Sequence, residues 1–583
     1  MILKVLVGTA WRAAPRTVVA AFLMTTLAAA GSAAFPIGFH LMVDGALARD
    51  GSRVIVGTAE VVVLFTLSWT LGTMAVGRNS VLTDRINSYL SARIGYLVNA
   101  APRLAHLEDP ELLREIDQLR DNRRTLAAAV RLLLRGWTVV IRGGVIMVLL
   151  ATVYPPVMVV PLLGLLPALA DRRAARTQKR TDDALAVDRR LLGDLFTVAT
   201  TAATAKELRT YGVTGALATR HAELSERVRR QAVRGAVRSA LWEAAGWLGY
   251  AAAFVGVVLV LVLRAAHGET SPGEVVMAVS LMRRAQVQVS SASDTVGSLA
   301  TALRTARRLR ALEEYVAAET ARAGEAEVPA RLSGGIVLRD VGFGYPRAAE
   351  PVLHGVDLEL PAGSVVAVVG DNGAGKTTLV KLLTGMYRPS EGRILIDGVD
   401  LADLDPVRWR LRTTAVFQDY LRPFLLLREA VGIGDLPRLD DADRVREAMA
   451  TAGAELPVDL ETPLGRWMTG GRELSGGQWQ RLALARGLMR DEPLLTVLDE
   501  PTASLDAAAE TRLFAKFAEL SRSAASSGGI TILVSHRFST VRMADLIVVL
   551  SGGRVVEAGP HDELLAAGGT YAQLFDLQAR AYR

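Results

Sequence analysis

The sequence predicts two folds in series: an all-α six-helix transmembrane domain followed by an α/β P-loop nucleotide-binding domain. Three observations predict it. Half of the 583 residues are hydrophobic and the mean hydropathy is +0.27, high for a chain whose second half is polar. The apolar excess is gathered into six segments, all within residues 1–310. Downstream, Gly370-Asp371-Asn372-Gly373-Ala374-Gly375-Lys376-Thr377 lies between an apolar run and a helix-forming run, the pattern of a phosphate-binding loop.

The six segments cover residues 17–43, 54–76, 135–154, 155–172, 244–263 and 274–296. A spanning helix needs about 20 apolar residues, and the third and fourth reach that length only with their flanks. Arg12 and Arg16 ahead of the first segment would also suit a cleaved signal peptide, but its length and the five spans behind it favour a retained helix. Arginines crowd residues 78–135 and 172–238 and are sparse around residues 44–53, 154–156 and 264–272. The long connections and the N-terminus therefore face the cytoplasm, in a cell membrane. That topology accounts for the net charge of +7 with lipid, and no nucleic acid, as partner.

On the sixth segment, helical spacing puts Arg283, Ser290 and Asp294 on one face, with Gln286 to one side and Arg284 to the other. Met282, Ala285 and Val289 make the opposite face. Arginine facing lipid costs at least about 2.5 kcal/mol. The arc, with Arg142 of the third span, is accordingly expected to line a watery cavity. Pairing of Arg283 or Arg284 with Asp294 or Glu243, or snorkelling toward headgroups, is the competing explanation.

A linker at residues 311–334, rich in Ala, Glu and Arg, leads to the α/β domain at residues 335–583. There Val365 to Val369 reads as a buried parallel strand and Thr377 to Leu383 as a helix. The glycines between them let backbone N–H groups curl around phosphate oxygens at the positive end of the helix dipole. Lys376 would reach the β- and γ-phosphates, Thr377 would hold Mg²⁺, and Thr378 completes the set. Phosphoryl transfer also needs a metal anchor and a group that orients water. Leu495 to Glu500 supplies Asp499 for Mg²⁺ and Glu500 as general base. ATP and Mg²⁺ are the expected ligands. With no cysteine and seven dispersed histidines, disulfides, thiolate metal sites and cysteine nucleophiles are excluded.

Leu474-Ser475-Gly476-Gly477-Gln478 resembles the signature pentapeptide of ATP-binding cassette (ABC) transporters, and other stretches fall in that family's order. Tyr345 is similar to the aromatic that stacks on adenine, and Gln418 to the glutamine that touches Mg²⁺ or water. Ser504-Leu505-Asp506 is similar to the loop that crosses the dimer interface, and His536 to the histidine that contacts the γ-phosphate. The turn His106 to Pro110 and the stretch Ala205 to Gly212 resemble the cytoplasmic loops of exporters, where short coupling helices touch the ATPase. The loop Thr462 to Glu473, with Arg466 and Trp467, resembles that of lantibiotic and lasso-peptide exporters. The resemblance implies a half-transporter that pairs with a second chain, the same or different. Each signature would complete the partner's ATP site, and a peptide or other amphipathic cargo would leave the cytoplasm by alternating access. It leaves open a lipid flippase or multidrug exporter of the same fold, a siderophore importer, or a protein of this scaffold that does not pump.

Overall fold

The computed structural model describes residues 8, 11, 15–153, 155–159, 163–500, 528–535 and 538–581. They form two compact units, one of residues 1–94 with 118–310 and the other of residues 95–117 with 311–583.

The first unit is helical. It contains α1 (Pro15–Leu47) and most of α2 (Gly51–Ala100). The second unit takes the short α3 (Ala105–Glu108) and the start of α4 (Pro110–Asp121). The chain then returns through α5 (Arg123–Ala127) and α6 (Ala129–Val153) to a 3₁₀ turn (Pro155–Val159). There follow α7 (Leu165–Thr200), α8 (Ala202–Thr210), α9 (Thr214–Ala266) and α10 (Pro272–Ala321). At about 1.5 Å rise per residue, the 50 residues of α2 and 53 of α9 run roughly 75–80 Å, more than twice the ~30 Å hydrocarbon layer. Such helices must continue beyond the bilayer.

Four helices, α1, α2, α6 and α9, are long and apolar enough to cross a membrane among the described residues. The fourth and sixth predicted segments differ from expectation, each for a local reason. Residues 155–172 do not begin as α-helix: Pro155 and Pro156 lack N–H donors and disfavour the helical conformation before them, so a 3₁₀ turn stands there and α7 starts at Leu165. Residues 274–296 do lie in one helix, α10, but Arg283, Arg284, Gln286 and Gln288 make its middle polar.

Small residues let these helices approach closely. α7 and α9 pack along their length, and a Cβ on Gly246 would lie 2.5 Å from that of Ala170. Between α1 and α6 the Trp137 indole N–H donates to Thr26 Oγ1 at 3.0 Å, and the Trp137 and Phe22 rings stack at 5.7 Å.

The second unit is α/β. β1 (Ile336–Phe343), β2 (Leu353–Leu360), β4 (Glu391–Ile396) and β5 (Val399–Asp400) make an antiparallel sheet ordered β2-β1-β4-β5. The larger sheet runs β10-β9-β3-β8-β7-β6, built from β3 (Val365–Gly370), β6 (Thr413–Val416), β7 (Leu495–Asp499), β8 (Ile530–Val534), β9 (Leu546–Ser551) and β10 (Arg554–Gly559). Only the β9–β10 pair in it is antiparallel. The inner strands are buried on both faces, which is why they read as unbroken Val, Ile and Leu runs.

Helix α11 (Lys376–Leu383) joins the core between the two sheets, where the fully buried Trp409 of α12 (Pro406–Leu411) donates its indole N–H to Leu383 O at 3.0 Å. A separate core holds α13 (Leu427–Gly432), α14 (Ala442–Thr451) and α15 (Gly476–Gly487). α16 (Phe538–Val541), α17 (His561–Ala567) and α18 (Thr570–Ala581) are the last helices among the described residues. The Leu104 N–H donates to Met386 O at 3.1 Å and the Arg410 guanidinium to Pro102 O at 2.5 Å, so residues 102–111 are seated on the α/β fold.

Candidate ATP site and membrane pocket

The phosphate loop is where strand geometry meets helix geometry. β3 ends at Gly370 with φ +149°, where a Cβ would lie 2.1 Å from Leu550 O; only glycine passes so close to β9. Gly375, at φ +100°, makes the last left-handed step before α11. Lys376 then opens the helix and folds back across the loop, its Nζ donating to Gly370 O at 2.7 Å and Asp371 O at 2.8 Å. Burial pulls its pKa down, and the nearby charges of Glu500 and Asp499 act against that.

Thr377 Oγ1 donates to Asp499 Oδ2 at 3.0 Å, joining residues 122 apart in sequence. Asp499 is 2% exposed at the end of β7, and burial pushes its carboxyl pKa up despite the Thr377 hydrogen bond. A hydroxyl and a buried carboxylate at this separation suit Mg²⁺, which takes oxygen ligands, so Thr377 and Asp499 fit as its protein holders. When bound, the ion would neutralise charge on the transferred phosphoryl group. Glu500 follows with φ +47°, an uncommon conformation for a non-glycine residue, and its N–H donates to Val534 O at 3.0 Å.

Tyr345, just beyond β1, is half-buried, and its hydroxyl lies 3.1 Å from Thr378 Oγ1. Gln418, past the end of β6, is exposed and makes no side-chain hydrogen bond to these groups among the described residues. Ser475 caps α15 reciprocally with Gln478. The Ser475 N–H donates to Gln478 Oε1 at 2.8 Å, and the Gln478 N–H donates to Ser475 Oγ at 3.3 Å. That leaves a fixed helix N-terminus, attractive to anions, at the Leu474 to Gln478 motif. Ser504, Leu505, Asp506 and His536 lie outside the described residues.

Four charged contacts were not foreseen from the sequence. Lys381 Nζ sits 2.8 Å from Glu108 Oε1, and Arg347 meets both Asp109, at 3.3 Å, and Glu111, at 2.5 Å. Lys381 also lies over the ring of Tyr345. Lys381 follows Thr378 by three helical positions, which was the available signal for its place beside the loop; Arg347 carried none.

In the helical unit, Arg142, Arg283 and Arg284 do converge. They line a pocket of about 250 Å³ with Ser32, Ala33, Ile146, Val287 and Gln288. The Arg284 guanidinium donates to Ser32 O at 2.8 Å and lies 5.2 Å from the Phe35 ring centroid. Gln286, Ser290 and Asp294 are not part of this lining. Gln286 is buried and donates to Ser290 Oγ at 3.3 Å, while Asp294 is exposed elsewhere on the helix.

A curated relative, the ATP-dependent lipid A-core flippase of Chromohalobacter salexigens, is 34% identical over 428 residues, covering 72% of this chain and 70% of its own. The chain belongs to the ABC transporter family. The family's sequence profile matches residues 353–503 of this transporter. The subtilin transport ATP-binding protein SpaT of Bacillus subtilis is 38% identical over 244 residues, 41% of this chain and 39% of its own. A solved bacterial Atm1-family ABC exporter with ATP bound superposes with TM-score 0.73 at 25% identity, covering 97% of this transporter and 98% of that chain. This is thus an ATP-driven exporter with an N-terminal helical membrane domain and a C-terminal ABC domain that hydrolyses ATP in step with transport.

Proposed function

We propose that the protein works as a half-transporter in the cell membrane, two like chains pairing so that each ATP lies between the phosphate loop of one and Ser475 to Gln478 of the other. Tyr345 stacks on adenine; Gly370 to Thr378 hold the phosphates; Thr377, Asp499 and Gln418 attend Mg²⁺. Glu500 holds and deprotonates the attacking water, and His536, with Ser504 to Asp506, completes the interface. Each chain contributes six spans at residues 1–310, followed by the linker at residues 311–334 and the ABC domain at residues 335–583. The lengths of α7 and α10 support counting them with the four apolar helices.

The cargo is an amphipathic molecule with an anionic group, such as a modified peptide, expelled from the cytoplasm. The observation that carries this is the pocket of Arg142, Arg283 and Arg284, three cations gathered where lipid would reject them. The similarity to SpaT and the loop around Trp467 favour a peptide. The longer match to lipid A-core flippases favours a lipid, and the pocket's chemistry suits either. The two are separated with the purified chain in nanodiscs, by following ATPase rate against added lantibiotic-type peptide or lipid A. The Arg283→Gln/Arg284→Gln chain should need about tenfold more of the stimulating cargo for half-maximal effect. An unchanged half-maximal concentration would remove the arginines from the cargo path.

A further inference from the structure

The aromatic ring assigned to adenine does not stand by itself. Tyr345 packs edge-on against Phe343, with centroids 5.1 Å apart at 79°, and against Tyr387, 5.6 Å apart at 83°. Both neighbours are buried. Its hydroxyl is tied to Thr378. The Lys381 ammonium lies over it, 5.3 Å from the Tyr345 centroid and 5.9 Å from that of Tyr387, inside the ~6 Å range of cation–π attraction.

Lys381 is itself held. Burial works to lower its pKa, but the hydrogen bonds and charges of Glu108 and Tyr345 together outweigh it and the net shift is upward. Glu108 ends the four-residue α3, and the next residues repeat the arrangement on the loop that carries Tyr345. Arg347, at φ +63°, pairs with Asp109 and Glu111. The acidic turn of residues 108–111 thus grips the adenine loop twice, through Lys381 under the ring and through Arg347 two residues past it.

We propose that Lys381 is a positioning residue for ATP: it fixes the plane of Tyr345, and Glu108 fixes Lys381, so the turn at residues 108–111 sets how well adenine stacks. This rests on reading Tyr345 as the adenine-stacking ring. A stacking interaction depends on ring placement and makes its contribution when ATP binds, before phosphoryl transfer. Its loss therefore falls on KM and Kd for ATP and spares kcat.

The experiment uses the full chain in nanodiscs, with ATP binding and steady-state ATPase measured for Tyr345→Ala, Lys381→Met, Lys381→Arg and Glu108→Gln. Tyr345→Ala should raise KM for ATP, and Lys381→Met should raise it about three- to tenfold with kcat within about twofold of the parent. Lys381→Arg, which keeps both the cation and an ion-pair donor, should restore most of the affinity. Glu108→Gln should raise KM by a smaller factor and add nothing on top of Lys381→Met. If Tyr345→Ala raises KM but Lys381→Met does not, the positioning role is wrong and the adenine reading stands. If Tyr345→Ala leaves KM unchanged, the adenine reading itself is wrong, and the proposal with it. A fall in kcat with unchanged KM in Lys381→Met would equally overturn it. Should that chain fail to fold, an unchanged KM in Glu108→Gln overturns the positioning role in its place.

Discussion

Thr377 and Asp499 meet at 3.0 Å because two apolar strands, β3 and β7, deliver their C-terminal ends to the same edge of a parallel sheet. Glu500 is the next residue, and its left-handed backbone turns the chain at that edge. Such a conformation costs of order 1–3 kcal/mol and persists only where the surroundings enforce it. If Glu500 positions and deprotonates water, Glu500→Gln should keep ATP affinity and lose at least about a hundredfold in turnover. Lys376→Ala should instead weaken ATP binding by about tenfold or more, since a charged hydrogen-bond donor to phosphate is removed. Equilibrium ATP binding beside single-turnover hydrolysis separates the two, and undiminished hydrolysis in Glu500→Gln would take Glu500 out of its role. These residues were legible in the sequence because each motif is contiguous: loop spacing and strand pattern sit within a few positions of the chemistry. The Lys381–Glu108 pair, 273 residues apart, and the Arg347–Glu111 pair, 236 apart, are joined only by the fold, so no local pattern announced them.

At the scale of helices, hydrophobic runs fall in the four described helices apolar enough to cross a membrane, α1, α2, α6 and α9, but do not mark their ends, because α2 and α9 continue as polar helices well beyond their apolar parts. The break at Pro155-Pro156 was written in the sequence as two adjacent prolines, which outweigh the apolar composition around them. The 100° period groups Arg283 with Ser290 and Asp294, whereas the structure sets Arg283 beside Arg284 and Arg142 and turns Gln286 to the buried side, because packing as well as polarity decides the flank of a helix face. A further device was invisible until helices were paired. Asp44, near the end of α1, accepts from the Ser271 hydroxyl at 2.6 Å and the Gly273 N–H at 2.8 Å at the start of α10, with His40 Nδ1 3.3 Å away. Arg284 to Ser32 O repeats the α1–α10 tie about three turns deeper. A Cβ at residue 273 would lie 2.4 Å from Asp44 Oδ1, so glycine is needed for the approach. Asp44→Asn should weaken this tie by about 1–3 kcal/mol. Hydrogen exchange reads it directly: the Gly273 amide should exchange about tenfold faster, and an unchanged rate would show that the carboxylate does not hold the two helices.

In the molecule as a whole, the phosphate loop and the signature ride on different cores. Leu379 to Leu383 of α11 pack between the two sheets, while Trp479 and Leu482 to Ala485 of α15 pack with α13 and α14. Each core fixes one motif, and in the proposed pairing each motif is half of a nucleotide site whose other half comes from a second chain. This division makes a prediction that no single-chain arrangement shares. In a mixture of Lys376→Ala and Ser475→Arg chains, a dimer containing one of each carries both lesions at one composite site and none at the other. Such mixed dimers, isolated with two different affinity tags, should bind one ATP per dimer at parental affinity and retain measurable hydrolysis, while neither parent homodimer hydrolyses above about 1% of the intact rate. The Ser475→Arg homodimer controls for folding, since its own phosphate loops are intact and should still bind ATP weakly. Full-rate hydrolysis by detergent-isolated monomers, or mixed dimers as inactive as both parents, would mean that the signature does not complete the partner's site.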